Sequence, residues 1–350
     1  MFAHLSLLLL CPPQEWFQAL FQALLPSQGQ ILFRISSSLR LCRIACWTLY
    51  SIDSLCPDSK TYLKAILKGN RPICYGFIGQ SWGELKLSHL VHDGVRLHYV
   101  VGPKGTGDTS ILTIVFVHGA GSSHEAWTLQ VEEFGKQYQT IAFDFSGHGK
   151  SDPNPKMTSI ENGYTEELAA LADHLELQNF VLVGHSMGGG VVMSYALRDD
   201  FPCPKALTLV DTSCDLNLSN LAAGMTREAL DTYLSLLRDR IKGSNSKAIE
   251  IIRREEIHKT RNPHVMQRDL AVVDGFDITS RIHEIDLPTL VVVGEHDNII
   301  TPSTAKDLEE RLPRADLAII RHADHVPMLQ NPAEFNRVLG KYLDWVDRQP

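Results

Sequence analysis

The chain has 350 residues, 44% of them hydrophobic and 21% charged, with a formal net charge of −8. That balance excludes collagen-like, low-complexity and wholly disordered chains, and an acidic total argues against nucleic acid, which selects basic surfaces. The length suffices for one large domain or two small ones with a core that needs no disulfide or metal staples, and no apolar run reaches the roughly 20 residues that cross a bilayer.

The charge is unevenly spread. Residues 1–82 hold seven basic and three acidic residues, and the remainder holds 26 basic against 38 acidic. Five of the seven cysteines (Cys11, Cys42, Cys46, Cys56, Cys74) also fall in the first stretch. Two compositions in one chain predict an N-terminal extension, 1–82, joined to a separate body. Leu5–Leu10 has the apolar character of a short secretory segment but lacks a basic start and a small-residue cleavage site. Ile31–Leu49 shares the acid-free, Arg- and Ser-containing composition of organelle transit peptides. Trp16, Phe17, Leu20, Phe21 and Leu24 recur at helical spacing, so residues 16–25 form a candidate helix for peripheral membrane contact, or for packing on the body. Its low positive charge weakens the membrane reading. Cys42 and Cys46 have no second half-site for zinc, and an odd cysteine count does not fit a disulfide framework. Buried, reduced thiols in a cytoplasmic setting are the expectation.

From about Leu85 the pattern changes. Leu85–His92 and Val95–Val101 flank Asp93-Gly94, a strong hairpin signal. Near-continuous apolar runs follow at Ile111–Val117, Thr140–Phe145, Phe180–Val183, Ala206–Val210, Thr289–Val293 and Leu317–Ile320, as expected of strands covered on both faces. Helical patterns occupy Thr165–Leu175, Val191–Leu197, Ser303–Leu312 and Pro332–Val346, the last opened by the cap Asn331, Pro332 at its first position and Glu334. The alternation predicts an α/β fold, a mostly parallel central sheet flanked by helices. About 75 residues without a strand pattern separate Val210 from Thr289, with helices at Thr226–Lys242 and Ser246–Thr260. A connection this long is usually a functional insertion. The expected organisation is therefore a first core part, 83–213, a helical cap, 214–286, over the C-terminal strand ends, and a second core part, 287–350.

The chemistry centres on Gly184-His185-Ser186-Met187-Gly188, placed directly between a strand and a helix. G-x-S-x-G is weak as a pattern, but a tight strand-to-helix turn strains its central residue and needs flanking residues without side chains, which lifts Ser186 above the sheet edge. A serine hydroxyl needs a base, and the base needs an orienting carboxylate. Asp297 and His325 each follow a strand, in the chain order Ser, Asp, His that such turn-based hydrolases use, and strand C-termini are where open α/β sheets bind ligands. Asp211 is the competing acid and His322 the competing base. Asp144 and His148 belong to a turn motif that stabilises its loop. His118-Gly119-Ala120-Gly121 follows Ile111–Val117, and the backbone N–H groups of Ala120 and Met187 are the expected oxyanion donors. His118, Gly119, Trp127 and His185 are the candidate pocket residues, with core packing an alternative for Trp127 and a structural hydrogen bond for His185.

Taken together, His118–Gly121, Asp144–Ser151, Gly184–Gly189, Gly294–Asp297 and His325–Pro332 resemble the α/β-hydrolase superfamily, and more narrowly its capped esterase, lipase and C–C-bond hydrolase branch. The resemblance runs from about residue 86 to 347 and has no counterpart for residues 1–82. It implies Ser186 as nucleophile, Asp297 as acid and His325 as base, with no metal and no organic cofactor. Related dehalogenases and epoxide hydrolases carry aspartate where Ser186 stands, so the serine points to acyl chemistry on carboxylic esters. A monoacylglycerol lipase, a thioesterase, a C–C hydrolase and a perhydrolase are the other readings within the fold, and a non-catalytic or slow ligand receptor is the reading of another class. The cap is nearly balanced in charge, 11 basic against 12 acidic residues, and its apolar helices suit a small, partly hydrophobic ester.

Overall fold

A computed structural model describes residues 86–106, 108–217, 246–261 and 263–349. The extension 1–82, with its candidate helix at 16–25 and its five cysteines, lies outside the described residues, as does the expected helix Thr226–Lys242.

The hairpin of β1 (Lys86–His92) and β2 (Val95–Val101) turns at Asp93 and Gly94, with φ of 48° and 78°. Two positive φ values in a two-residue loop match the right-handed twist of the strands it joins. β3 (Thr113–Val117), β4 (Gln139–Phe143), β5 (Phe180–His185), β6 (Ala206–Val210), β7 (Thr289–Gly294) and β8 (Ala315–Ile320) complete one eight-stranded sheet in the order β1-β2-β4-β3-β5-β6-β7-β8. β1, β2 and β4 pair antiparallel, and every pairing from β4 to β8 is parallel. β3 to β7 are buried along their whole length, whereas the edge strand β8 is partly exposed.

Helices cover both faces. Val115 and Val117 of β3 join one apolar layer with Leu168 and Leu171 of α2 (Thr165–His174) and Val191 and Met193 of α3 (Met187–Ala196). Ile114 and Phe116 point the other way, onto Val131 and Phe134 of α1 (Thr128–Phe134) and Phe335 and Leu339 of α8 (Pro332–Asp347). That alternation is the two-residue period of a strand buried on both sides. Between β6 and β7 lie α4 (Ser246–Arg261) and α5 (Pro263–Asp274). α6 (Pro302–Arg311) joins β7 to β8, and the short α7 (Pro327–Gln330) precedes α8.

Several elements depart from their expected bounds. β4 ends at Phe143; the Asp144 N–H carries the pairing on to the His98 carbonyl of β2 at 2.8 Å, and beyond it the chain enters the turn to Ser151. α3 starts at Met187 rather than Val191, with Gly188, Gly189 and Gly190 inside it, since close approach to neighbouring chain there outweighs their poor helix propensity. Helices α1, α5 and α7 add to the elements expected from the sequence. α1 buries Leu129, Val131 and Phe134, a spacing that reads equally as strand or helix. The thiols divide: Cys214 is buried, but Cys203 is exposed, against the expectation of uniformly buried cysteines. No described helix is long and apolar enough to cross a membrane.

Candidate active site

Parallel register aligns the strand ends. Val117 of β3 pairs with Gly184 of β5, and His185 with Val210 of β6, so the segments after β3, β5, β6, β7 and β8 leave one edge of the sheet. Ser186 occupies the turn between β5 and α3 with φ 53° and ψ −119°, a conformation that L-residues other than glycine rarely hold. The surroundings over-determine it. The Ser186 N–H donates to the Val210 carbonyl at 2.9 Å, and the Ser186 carbonyl accepts from the Thr212 hydroxyl at 2.8 Å and the Gly189 N–H at 2.9 Å. Gly188 passes so close to β3 that a Cβ there would lie 2.6 Å from the Val117 and His118 carbonyl oxygens.

The strained turn brings the Ser186 hydroxyl to a histidine. Ser186 Oγ lies 3.1 Å from His325 Nε2, and His325 Nδ1 lies 2.8 Å from Asp297 Oδ2. The other Asp297 oxygen accepts the Ile299 and Ile300 N–H groups at 2.7 and 3.1 Å. Burial pushes the Asp297 carboxyl up, but the facing His325 and these hydrogen bonds outweigh it and hold it below the ordinary carboxylate value. An ionised Asp297 fixes the proton of His325 on Nδ1 and leaves Nε2 free to accept. The loop of His325 is clasped behind it: the Asp324 N–H donates to Gln330 Oε1 at 2.7 Å, and Gln330 Nε2 returns to Asp324 Oδ2 at 2.9 Å.

The competing residues separate clearly. His322 is exposed at φ 57°, its N–H donating to the Glu295 carboxylate at 2.9 Å. Asp211, fully buried at the end of β6, accepts the Gly294 N–H at 2.9 Å and has a nitrogen or oxygen within 4.8 Å of both His185 and His325. Burial first, and the adjacent Asp297 charge second, raise its carboxyl well above the usual range, so Asp211 stands neutral beside an ionised Asp297.

The loop after β3 is a turn in which the Ser122 N–H reaches the Gly119 carbonyl at 3.2 Å, with Gly121 at φ 62°. His118 is fully buried. Its Nδ1 lies 2.8 Å from the Gly119 oxygen, and its Nε2 accepts the Phe145 N–H at 3.2 Å. Burial, reinforced by His148, pushes this ring down to about 3, so it is neutral with its proton on Nδ1. Holding the Gly119 carbonyl fixes the planar Gly119–Ala120 peptide, and a trans peptide aims its N–H opposite to that oxygen. Ala120 is partly exposed and Met187 opens α3, where an N–H has no acceptor inside the helix.

Two pocket expectations need correction. His118 spends both ring nitrogens on the backbone and is scaffold rather than lining. Trp127 is fully buried, stacked 5.1 Å from Phe116 and 6.2 Å from Phe335 by ring centroids, and is core. His185 is also mostly buried, with Nε2 2.6 Å from the His325 carbonyl oxygen, so it braces the His325 backbone. Gly119 sits against Ser186, where a Cβ would press on His185 Nδ1 at 2.8 Å and Ser186 Cβ at 3.2 Å.

The turn Asp144–Ser151 stabilises its loop. Asp144 accepts the His124 N–H at 2.7 Å, the Lys150 N–H at 3.0 Å, His98 Nδ1 at 3.0 Å and His124 Nδ1 at 2.9 Å. Among the described residues three groups bring metal-binding atoms together: His98, His124 and Asp144; His185, Asp211 and His325; and the exposed Glu295, His296 and His322. The first is consumed by that hydrogen-bonded knot, and the second overlaps the Ser186–His325 pair. Sequence reasoning missed two further carboxylates near the loop after β3, Glu255 of α4 and Asp269 of α5. Both are acids on amphipathic helices, where an acid ordinarily marks the solvated face.

Residues 114–338, more than half of the chain, match the alpha/beta hydrolase family model. A Bacillus subtilis protein, provisionally named a 2-succinyl-6-hydroxy-2,4-cyclohexadiene-1-carboxylate synthase, is 26% identical over 72% of this chain and 96% of its own length. A pimeloyl-(acyl-carrier protein) methyl ester esterase of Nitrosomonas europaea is 25% identical over 63% and 92%. Among solved structures, a thermophilic esterase superposes with a TM-score of 0.61 at 26% identity, covering 75% of this chain and 99% of that one. Eight mostly parallel strands, a serine on a strained strand-to-helix turn and the family match agree: the chain belongs to the alpha/beta hydrolase family and is a hydrolase.

Proposed function

We propose that the protein is a serine hydrolase of carboxylic esters, working through an acyl-enzyme on Ser186. The observation that carries this reading is the continuous chain from Ser186 Oγ to His325 Nε2, 3.1 Å, and from His325 Nδ1 to Asp297 Oδ2, 2.8 Å. As Ser186 Oγ attacks the ester carbonyl carbon, its proton passes to His325 Nε2, and Asp297 stabilises the imidazolium. The carbonyl oxygen becomes an oxyanion held by the N–H groups of Ala120 and Met187. Each such donor is worth about 2.7–4 kcal/mol in a preorganised site. His325 then protonates the departing alkoxide, which leaves as an alcohol, and the acyl group stays on Ser186. Water next gives a proton to His325 and attacks the acyl carbon, and collapse of the second tetrahedral intermediate returns the proton to Ser186 Oγ and frees the acid.

The segment 214–286 acts in this reading as a cap that selects a small, partly hydrophobic ester. The esterases among the relatives support ester chemistry. Residues 16–25 are proposed as a peripheral membrane contact, and a chain lacking residues 1–82 tests that: unchanged partitioning between soluble and membrane fractions would remove it. The hydrolase reading is tested by a fluorophosphonate probe with intact-mass and peptide-mapping readout. One stoichiometric adduct on Ser186, absent from Ser186→Ala, is expected. No adduct on folded protein would put the ligand-receptor reading ahead.

A further inference from the structure

The loop that carries Ala120 is gripped from outside its own neighbourhood. Asp269 Oδ2 accepts the Gly121 N–H at 2.8 Å and sits 2.7 Å from His148 Nε2. Its Oδ1 accepts the Tyr164 hydroxyl at 2.5 Å and Arg268 Nη2 at 3.3 Å. Glu255 accepts the Ser122 hydroxyl on one oxygen and the Ser123 hydroxyl on the other, both at 2.5 Å. Each carboxylate is buried, 0% exposed for Asp269 and 7% for Glu255. Burying a carboxylate is costly unless it is well paired. Gly121, Ser122 and Ser123 are themselves buried, so the two acids satisfy donors that water does not reach and tie three consecutive loop residues to α4 and α5, which gives the loop a fixed geometry.

The peptide planes carry that geometry to Ala120. Ala120 has one peptide on each side. The Gly119–Ala120 plane is held through the Gly119 carbonyl, by His118 Nδ1 and the Ser122 N–H. The Ala120–Gly121 plane is held through the Gly121 N–H, by Asp269 alone among the hydrogen bonds described. With both planes fixed, φ and ψ of Ala120 are fixed, because a backbone has only two soft torsions per residue. We propose that Asp269, seconded by Glu255, is a positioning residue for ester cleavage: it locks the Ala120–Gly121 peptide and, through φ and ψ of Ala120, backs up from the far side the hold on the Gly119–Ala120 plane, whose N–H faces the oxyanion. The segment 214–286, which the sequence presents as a cap, thus serves the transition state as well through α4 and α5. This rests on the serine-hydrolase reading above. The other groups around Asp269, namely His148, Tyr164 and Arg268, anchor its carboxylate to the Ser146–His148 turn, where Arg268 Nη2 also donates to the Ser146 carbonyl at 2.9 Å.

The test compares Asp269→Ala, Asp269→Asn and Glu255→Ala with wild type on p-nitrophenyl butyrate. A sub-ångström misaim at an oxyanion donor weakens only the transition state, so kcat of Asp269→Ala is expected to fall about 30- to 100-fold with KM within about threefold. Affinity for an aryl boronic acid, which mimics the tetrahedral oxyanion, should fall in step with kcat/KM. Asp269→Asn keeps an oxygen for the Gly121 N–H and should recover most of kcat, to within about fivefold, while Glu255→Ala should lose about tenfold. Amide hydrogen exchange at Gly121 should accelerate in Asp269→Ala at a temperature where the variant is fully folded, and by more than at the other loops at the same edge of the sheet. A kcat within twofold of wild type in Asp269→Ala overturns the proposal. So does equal loss in the Ala and Asn variants, or a loss that tracks melting temperature or the fraction of titratable sites. If Asp269→Ala does not fold, Asn and Glu255→Ala decide by the same KM-against-kcat criterion. Failure of the underlying reading looks different: wild type itself then gives no Ser186 adduct, while Gly121 exchange still reports on the tether.

Discussion

The two halves of the candidate site are fixed by different means. Around Asp297 and His325 most holding contacts are local: Asp297 accepts from the N–H groups of Ile299 and Ile300, and the His325 loop is clasped by Asp324 and Gln330, with His185 adding one brace from 140 positions away. On the oxyanion side the loop after β3 is held by Asp269 and Glu255, which lie 132 to 148 positions further along the chain. Proton-transfer groups must be the right residue types at the right strand ends, which short sequence can specify. Backbone donors come from any residue, so their aim has to be specified by whatever packs on them.

The sharpest test of the acid–base half is the nucleophile. Ser186→Ala should lower kcat on an activated ester by a factor on the order of 10⁴ to 10⁶ while leaving boronic acid-free substrate binding intact, measured as KM against residual rate. Next comes the choice of carboxylate. Asp297→Asn should cost on the order of 10⁴ in kcat, because an amide donating to His325 Nδ1 imposes the wrong tautomer. Asp211→Asn should cost less than about tenfold, because Asn replaces an already neutral acid and keeps an oxygen for the Gly294 N–H. The opposite ranking in steady-state assays would exchange the two roles.

The contrast also explains what the sequence reveals. Ser186, Asp297 and His325 were legible because each follows an apolar run that reads as a strand, and parallel register then brings strand ends together. The near-continuous apolar run of β3 likewise points to a sheet covered on both faces. Glu255 and Asp269 were not legible: on a helix they carry no pattern that separates a buried clamp from a solvated acid. Trp127 failed for a related reason. It follows the loop after β3 and so suggested lining, but its ring turns under the sheet onto Phe116 and Phe335, a direction set by packing alone. Trp127→Ala should accordingly destabilise folding by about 3–5 kcal/mol in denaturant titration with KM changed less than about twofold. A marked KM change at unaltered stability would return Trp127 to the pocket.

The smallest expected effect probes the paired carboxylates at the ends of β6 and β7. The Asp211 carboxyl is raised from its ordinary value of 3.8, by burial and then by the Asp297 charge. As pH climbs above that value, the unfolded chain releases the Asp211 proton while the folded chain still holds it, so folding loses stability with rising pH until the folded value is passed. Asn has no proton to release and does not contribute this loss. Because Asp211 is neutral in the folded wild type, the substitution also leaves Asp297 with an uncharged neighbour, so the pull of His325 on Asp297 is common to both proteins. The melting temperature of Asp211→Asn minus that of wild type should therefore increase between about pH 4 and pH 7. A difference that is flat, or that shrinks across this range, would mean Asp211 is ionised in the folded chain. The assignment of a neutral Asp211 beside an ionised Asp297 would then fall.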